Sequence, residues 1–332
     1  MEDIQSLFVK KILPGSGTLS KEQGTAYAPA NIALCKYWGK RHAPLNLPVN
    51  SSLSISLGEL GTHTVIRPCS GADQIRLNGL PEPPDSGFAQ RISAFLDLFR
   101  PLLDRTGFAV STENTIPTAA GLASSASGFA ALVLALDDLA GWGLDRRHLS
   151  MLARLGSGSA ARSLFEGFVE WHAGSKADGT DSFAERIDNE WPEFRIGILE
   201  LTSAPKPVGS RDGMNRTVET SPLYAAWPQQ AARDLESIRA ALQAHDFARL
   251  GRTAECNALT MHATMLAAWP PLLYLQPQTI EQIHKVQRVR DEGLEVYLTI
   301  DAGPNIKLLF LSPDEDSVRE TFPGIKVIQP FH

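Results

Sequence analysis

Small residues crowd one stretch of the sequence, Pro117 to Gly128, which reads PTAAGLASSASG and runs into a long apolar segment. Side chains this small let phosphate oxygens reach the backbone, and a helix beginning here would direct its free N–H groups and positive dipole end at such an anion. The stretch lacks both the Gly-Lys-Ser/Thr of a P-loop and the GxGxxG of a dinucleotide site. Close helix packing explains the same composition equally well, so the stretch alone leaves both interpretations open.

Three cations and two aromatic residues lie together between Lys36 and Arg41, in the segment KYWGKR. A charge run of this kind is usually a solvated turn. Two features weigh against that interpretation, because the segment follows an apolar, strand-like stretch and because Tyr37 and Trp38 need burial.

Two further segments each place one charged residue beside small residues. GSGSAARS at 156–163 contains Arg162, whose planar guanidinium could pair with a carboxylate or phosphate through two hydrogen bonds. A flexible loop is the commoner meaning of such a segment. TIDAGPN at 299–305 places Asp301 where an apolar strand meets a Gly-Pro turn. Loop capping is the ordinary role of such an aspartate, and general-base catalysis is the rarer one.

The segment KPVGSRDGM, from Lys206 to Met214, fits either an anion-binding loop or a linker between lobes. Judged alone, it is better interpreted as the linker. The eight histidines form no HExxH motif and no paired ligand set, so a metal cage built by the protein is not predicted.

The spacing of apolar residues predicts the elements that must position these segments. Alternation predicts antiparallel strands with one solvated face at 51–57 and 74–78, and steps of three and four residues predict a helix over 86–105. A helix apolar almost all round should follow the small residues up to Gly141. Interleaved strands and helices indicate an α+β chain of two lobes with a boundary near 190–205, preceded by a mobile or loosely docked extension over 1–24.

Length and composition limit the classes of function. The chain has 332 residues, of which 43% are hydrophobic and 20% charged, as in an ordinary folded protein. Lys plus Arg number 31 and Asp plus Glu 37, so the net charge is −6 and no basic field exists for nucleic acid or an anionic membrane. The absence of a membrane-length apolar run, of a signal peptide and of CxxC spacing among Cys35, Cys69 and Cys256 predicts a cytoplasmic protein.

Taken together, six segments in this order resemble the GHMP kinase superfamily and, within it, the diphosphomevalonate decarboxylase family: NIALCKYWGKR, NLPVNSSLS, PTAAGLASSASG, GSGSAARSLFEGFVEW, KADGTDSFA and TIDAGPN. The resemblance spans about 26 to 311. It implies a two-lobed GHMP kinase fold with a cleft between the lobes. Residues 25–200 would form an N-terminal, ATP-binding lobe like ribosomal protein S5 domain 2, and residues 201–332 a C-terminal α+β lobe.

The resemblance also implies a reaction. ATP phosphorylates the 3-hydroxyl of mevalonate 5-diphosphate, and loss of that phosphate drives decarboxylation to isopentenyl diphosphate, with ADP, phosphate and CO2 as the other products. By similarity, Asp301 takes the hydroxyl proton, Lys36 keeps this carboxylate ionised and oriented, and Arg162 holds the substrate carboxylate.

The remaining implied contacts concern the two substrates. Those around mevalonate 5-diphosphate are Tyr37, Lys40, Arg91, Ser157, Ser159, Ser210, Arg211 and Met214. Arg91 is matched only by its spacing after Asn78-Gly79. Those along ATP are Pro117, Ala120, Gly121, Leu122, Ala123, Ser124 and Ser125. Magnesium would be held chiefly by the ATP phosphates, with the hydroxyl of Ser124 or Ser125 as a further ligand.

Other functions remain open from the sequence. A relative could phosphorylate the 3-hydroxyl without decarboxylation, as a mevalonate 3-kinase, or could accept the monophosphate as a phosphomevalonate decarboxylase. Lys40 and Arg211 together favour the diphosphate. The acidic balance opposes a noncatalytic, S5-like nucleic-acid-binding module. The expected partners are therefore mevalonate 5-diphosphate and ATP, with no nucleic acid or membrane, and the resemblance implies a homodimer.

Overall fold

The computed structural model describes residues 3–13, 15, 19–103, 107–115, 124–202, 204 and 206–331, without the side chain of Ser124. The strands are β1 (Gly24–Cys35), β2 (Lys40–His42), β3 (Leu47–Pro48), β4 (Ser52–Cys69), β5 (Gln74–Leu77), β6 (Leu80–Pro81), β7 (Gly107–Asn114), β8 (Phe168–Trp171), β9 (Ala184–Arg186), β10 (Phe194–Leu199), β11 (Tyr297–Ile300), β12 (Ile306–Leu311) and β13 (Lys326–Ile328). The α-helices are α1 (Ile4–Ile12), α2 (Gly87–Leu96), α3 (Arg100–Leu103), α4 (Ser124–Ala140), α5 (Arg146–Gly156), α6 (Ser210–Thr220), α7 (Trp227–Ala244), α8 (Phe247–Leu266), α9 (Pro277–Asp291) and α10 (Glu315–Thr321). Short 3₁₀ helices occupy Gly158–Leu164, Tyr224–Ala226 and Ser312–Asp314. Within these described ranges, no helix is long and apolar enough to cross a membrane.

The N-terminal lobe is built on a seven-stranded sheet in the order β6-β5-β7-β4-β8-β9, with β1 paired to β4. The β1–β4 pair is antiparallel and runs from Gly24 opposite Ile66 to Cys35 opposite Leu53. β5 pairs antiparallel with β6 but parallel with β7, so the antiparallel prediction for 74–78 is correct on one side only. The predicted apolar helix after the small residues is α4, which packs on β1 and β4.

The start of β4 is buried on both faces, whereas its alternation predicts one solvated face. Leu53, Ile55 and Leu57 pack against residues of α7 and α8 in the C-terminal lobe. On the opposite face, Ser52 accepts a hydrogen bond from Arg162 of the 3₁₀ helix. The serine face is therefore covered by the other elements of its own lobe, which a local pattern cannot reveal.

The C-terminal lobe contains a four-stranded antiparallel sheet in the order β11-β12-β10-β13. Its first strand in the chain is β10. The predicted lobe boundary after residue 200 assigns this strand to the N-terminal lobe, but its backbone pairs with β12 and β13. Apolar residues on both faces indicate a buried strand without indicating which sheet it joins. The α+β class and the two lobes are confirmed.

The prediction of a mobile N-terminal extension is wrong for residues 3–13. Residues 4–12 form α1, and Phe8, Val9 and Leu13 are buried in the core of the N-terminal lobe. The guanidinium of Arg154 lies 5.0 Å from the centre of the Phe8 ring, and Lys11 pairs with Asp178 at 2.7 Å. A single short amphipathic helix gives too little periodicity to be recognised without the surface that receives it.

The helix predicted over 86–105 is interrupted. α2 ends at Leu96, and α3 begins at Arg100, immediately before Pro101. Proline fits the first turn of a helix but breaks a helix interior, because it has no N–H and clashes with the preceding turn. The apolar stripe is therefore shared by two short helices, and residues 104 and 105 lie outside the described residues.

An ion pair between a buried glutamate and a partly exposed arginine joins the lobes. Glu170 of β8 is buried and accepts hydrogen bonds at both carboxylate oxygens from Arg239 of α7, one of them 2.8 Å long. A bidentate arginine–carboxylate pair fixes direction as well as distance. Together with the apolar contacts of β4 with α7 and α8, this pair holds the two lobes in one relative position.

Candidate active site

A cavity of about 500 Å³ lies between the lobes and receives side chains from both. Every catalytic and substrate-binding residue that the sequence predicts lies on its wall: Lys36, Tyr37, Lys40, Arg91, Ser157, Ser159, Arg162, Ser210, Arg211, Met214 and Asp301. Lys36 and Asp301 are far apart in the chain, so the fold alone brings them together. The structure thus gathers the predicted residues, and their individual roles remain proposals.

The turn that carries Asp301 is held from several directions. Its backbone oxygen contacts Nε2 of His262 on α8 at 3.0 Å and accepts from the N–H of Gly303 at 2.7 Å. Asn305, at the end of the turn, accepts hydrogen bonds from the N–H groups of Leu201 and Thr202 at 2.8 and 3.1 Å. The conformation between β11 and β12 is therefore fixed, and with it the position of the Asp301 carboxylate.

Two lysines clamp that carboxylate. Nζ of Lys36 lies 2.8 Å from Oδ1 of Asp301, and Nζ of Lys307 lies 3.2 Å from Oδ2. Burial alone would raise the pKa of Asp301, but the two ammonium groups outweigh it and hold the pKa well below the ordinary carboxyl value. The lowered pKa keeps the carboxylate ionised. Because 30% of the side chain remains exposed, the carboxylate is also open to the cavity.

Lys36 is a buried cation fixed by its surroundings. It follows the last residue of β1, and its side chain is only 2% exposed. Its N–H donates to Asn257 of α8, and its ammonium donates to the backbone oxygen of Ala33, both at 2.8 Å. Burial lowers the pKa of Lys36, and the charge of Asp301 opposes that change. The solvated-turn interpretation is therefore wrong for this residue.

Arg162 presents a buried guanidinium with an unused hydrogen-bonding atom. Its Nη1 donates to Ser52 at 2.5 Å, and its Nη2 donates to Asn31 at 3.4 Å. Its Nε has no hydrogen-bond partner within the described part of the chain. Burial lowers the pKa of Arg162 to about 10, with Asp301 opposing the change. A charged, partly unsatisfied fork on a cavity wall suits a carboxylate or phosphate ligand.

Gly158 lets the two sides of this wall approach closely. A Cβ at this position would lie 2.8 Å from the Tyr37 ring and 3.0 Å from the Trp171 ring. The Tyr37 and Trp171 rings pack edge to face with centroids 4.8 Å apart. The hydroxyls of Ser157 and Ser159, on either side of the glycine, are 3.3 Å apart. This glycine thus has a packing role at the cavity wall.

A second group of cations lies at another part of the cavity. Lys40 of β2 and Arg211 of α6 both line it. Burial lowers the pKa of Lys40 to about 8, and the positive charge of Arg211 adds to the effect. The segment 206–214, judged alone, was interpreted as a linker. Its second half, from Ser210, instead forms the first turn of α6. Cations held together in this way favour a ligand with several negative charges.

The small-residue loop falls mainly outside the described residues. Pro117, Ala120, Gly121, Leu122 and Ala123 are not described, nor is the side chain of Ser124. Ser125 is exposed in the first turn of α4 and lines the cleft. It also lines a smaller cavity of about 120 Å³ formed by β5, β7, α2 and α4. The part of the loop that is described therefore faces both cavities.

The donor set near α4 suits magnesium only with help from a ligand. Magnesium prefers oxygen ligands and retains several that do not come from protein. Across the described residues, no group of three or more His, Cys, Asp or Glu side chains could hold a metal ion. Ser125 offers a hydroxyl oxygen at the cleft, which fits an ion bound chiefly through phosphates.

The sequence interpretation missed several residues around Asp301. Lys307, Asn31 and Ser52 contact the predicted catalytic side chains directly, and Asn257 accepts a hydrogen bond from the backbone N–H of Lys36. Lys206, whose ammonium interacts with the charge of Asp301, belonged to the segment interpreted as a linker. Lys307 interrupts the otherwise apolar strand β12, and that interruption was the one signal in the sequence that could have identified it.

Two family models together match most of the chain. Residues 28–184 match the family model of the diphosphomevalonate decarboxylase-like N-terminal domain, and residues 197–327 match that of the mevalonate 5-diphosphate decarboxylase C-terminal domain. The diphosphomevalonate decarboxylase of Aspergillus fumigatus is 39% identical over 327 residues, which cover 91% of this chain and 80% of the relative.

Solved structures of mevalonate diphosphate decarboxylases have a similar fold. A complex of MDDEF with MVAPP, AMPPCP and magnesium is similar with a TM-score of 0.86 and 39% identity, covering 92% of this chain and 95% of that one. The mevalonate diphosphate decarboxylase of Staphylococcus aureus is similar with a TM-score of 0.87 and 36% identity, covering 93% and 95%. The expected two-lobed GHMP kinase fold is confirmed.

Proposed function

The chain belongs to the diphosphomevalonate decarboxylase family, and we propose that the interlobe cavity is its active site, with Asp301 as the general base. The enzyme is an ATP-dependent carboxy-lyase that converts mevalonate 5-diphosphate to isopentenyl diphosphate, ADP, phosphate and CO2. The observation that carries the proposed site is the position of the Asp301 carboxylate between the ammonium groups of Lys36 and Lys307, on the same cavity wall as Arg162.

The first step is phosphoryl transfer to the 3-hydroxyl. The hydroxyl oxygen bonds to the γ-phosphorus, the bond to ADP breaks, and the hydroxyl proton passes to Asp301. Because its low pKa makes Asp301 a weak base, the proton moves as the new oxygen–phosphorus bond makes the hydroxyl more acidic. Lys36 keeps the carboxylate ionised and oriented until then.

The second step forms the alkene. The carbon–oxygen bond to the new phosphate breaks, the bond to the carboxylate breaks with release of CO2, and its electron pair becomes the carbon–carbon double bond. Arg162 holds the substrate carboxylate in the orientation that this fragmentation needs. Catalysis is therefore mainly positioning and stabilisation of charge.

The diphosphate of the substrate should lie near Lys40 and Arg211. Both cations line the cavity, and two positive charges at one end of it attract a diphosphate, which carries more negative charge than a monophosphate, more strongly. The other contacts proposed for the substrate are Tyr37, Arg91, Ser157, Ser159, Ser210 and Met214.

ATP should lie over the small-residue loop with its phosphates toward the N-terminus of α4, because free N–H groups at a helix start favour an anion. The smaller cavity beside Ser125 offers a mostly apolar surface for the nucleotide base. Ser125 would add a hydroxyl ligand to magnesium held by the ATP phosphates, with Ser124 as the alternative ligand. When bound, magnesium neutralises charge on the phosphates and aligns them for transfer.

Two further properties concern the location and the assembly of the protein. We propose a cytoplasmic location, which is supported by the free thiols of Cys35, Cys69 and Cys256. We also propose a homodimer, which the family resemblance alone supports. Light scattering of the purified protein tests the dimer, since a monomer mass would refute it.

The reaction is tested by counting both products in one experiment. Purified protein is mixed with magnesium, ATP and mevalonate 5-diphosphate carrying a labelled carboxylate, and ADP and labelled CO2 are measured together. Equal amounts are expected. ADP without CO2 would indicate a 3-kinase, and products formed only from the 5-monophosphate would indicate a phosphomevalonate decarboxylase.

A further inference from the structure

Lys307 is a buried cation beside the proposed base, and neither the motifs nor the reaction described above assigns it a role. It lies on β12 between the buried residues Ile306 and Leu308, and its side chain is 1% exposed. Its ammonium lies 3.2 Å from Oδ2 of Asp301 and 3.5 Å from the backbone oxygen of Asn305. It is not among the described residues that line the cleft, so it contacts the base without contacting the substrate space.

A second ammonium at this position is more than fold stability requires. Taking a lysine out of water is costly, and an apolar side chain of similar volume often stabilises a core equally well or better. Lys36 already neutralises the charge of Asp301 at the other oxygen. The charges of Lys206 and Arg162 also act on this carboxylate, and His262 contacts its backbone oxygen. The site therefore carries an excess of positive charge before any ligand enters.

Substrate binding reverses this balance. ATP, a diphosphate and a carboxylate all bring negative charge into one cavity walled by protein, where charges interact more strongly than in bulk water. Their combined field favours protonation of Asp301, and a protonated carboxyl cannot accept the hydroxyl proton. A cation behind the carboxylate, outside the space that the substrates fill, keeps acting on Asp301 when the other cations are engaged by ligands.

We propose that Lys307 is a positioning residue that fixes Oδ2 of Asp301 and keeps this carboxylate ionised in the complex with both substrates. The proposal rests on the role of Asp301 as general base. The two lysines then have different roles. Lys36 contacts Asp301 and also faces the cleft, whereas Lys307 acts only through Asp301.

The test compares Lys307→Met, which removes the charge at similar volume, with Lys307→Arg, which keeps it. Lys285→Met is the matched control, since this lysine also lies in the C-terminal lobe, where it donates to the backbone oxygen of Thr321 and lies over the Phe322 ring. Turnover is measured at saturating substrates as a function of pH, and thermal unfolding reports folding of each variant.

A second measurement reads Asp301 directly and does not need turnover. Infrared difference spectra of the complex with magnesium, AMPPCP and mevalonate 5-diphosphate follow the carboxylic-acid band of Asp301, with Asp301→Asn as the subtraction reference. In Lys307→Met, protonation of Asp301 should occur about 1 to 3 pH units higher than in the wild type, since an adjacent opposite charge shifts a carboxyl pKa by this amount.

The expected kinetic result is a fall in kcat of about ten- to one-hundred-fold, the effect of losing a hydrogen bond to a charged group. The fall should grow as the pH is lowered toward the range where Asp301 becomes protonated, Lys307→Arg should restore the pH profile, and KM should change little. An unshifted infrared titration, or a shifted one with unchanged kcat, would overturn the proposal. So would a loss of stability like that of Lys285→Met with an unaltered pH profile. Turnover that survives in Asp301→Asn would instead refute the proposed base.

Discussion

The charge of Lys40 should control how substrate binding depends on pH. Burial lowers the pKa of this lysine to about 8, with a further contribution from the positive charge of Arg211. Below pH 8 the side chain is an ammonium that attracts the diphosphate, and above pH 8 it becomes a neutral amine. The phosphates of the substrate stay ionised over this range, so binding should weaken as the pH rises.

The size of this effect follows from the titration. At pH 9, one unit above the pKa, about a tenth of the free enzyme retains the charge, so Kd should be about tenfold higher than at neutral pH. Lys40→Arg should abolish the dependence, because an arginine stays protonated throughout. At neutral pH, Lys40→Met should bind about ten- to one-hundred-fold more weakly than the wild type, because it loses a charged hydrogen bond. This difference should narrow as the pH rises above 8 and Lys40 itself loses its charge.

Isothermal titration calorimetry with mevalonate 5-diphosphate alone, between pH 7 and 9.5, measures these constants without turnover. Lys40→Arg is the control for any other group that titrates in this range. A constant Kd in the wild type would refute the placement of the diphosphate beside Lys40. The same slope in Lys40→Arg would show that another group carries the dependence.

Three further substitutions test separate parts of the structure. Arg162→Lys keeps the charge but loses the planar fork, so CO2 release should slow about ten- to one-hundred-fold, and an unchanged rate would exclude Arg162 as the carboxylate ligand. Gly158→Ala would place a methyl group 2.8 Å from the Tyr37 ring, so KM for the substrate should rise while ATP binding persists. An unchanged KM would show that the Tyr37 ring moves aside without disturbing the substrate site. Phe8→Ala removes a buried ring of α1 and should lower the free energy of unfolding in urea by about 3 kcal/mol with activity retained, whereas a loss below about 0.5 kcal/mol would mean that α1 is not docked in solution.

The catalytic set could be predicted from the sequence only through family resemblance. By itself, Asp301 at a strand end fits loop capping, and nothing local connects it with Lys36. The two meet because β1 and the turn after β11 end at the same cavity. Such a meeting depends on the packing of two lobes, which the resemblance supplies and spacing does not.

Burial imposed by distant elements was the main limit of prediction. The alternation in β4 correctly identified a strand, but α7 and the 3₁₀ helix that bury its two faces lie more than a hundred residues further along the chain. Lys307 was missed for the same reason, since a lysine in a strand usually reaches solvent at an edge or face. The docking of α1 could not be predicted from its few apolar residues, because the surface around Arg154 that receives Phe8 comes from a distant part of the chain.

The most direct test of the central claim is to separate binding from chemistry in Asp301→Asn. The amide keeps the shape of the side chain but cannot take the hydroxyl proton. Calorimetry should show that the variant still binds magnesium–ATP and mevalonate 5-diphosphate, while a rapid-quench experiment should detect almost no ADP and no CO2 in a single turnover. Substantial formation of ADP and CO2 by this folded variant would contradict the assignment of Asp301 as the general base.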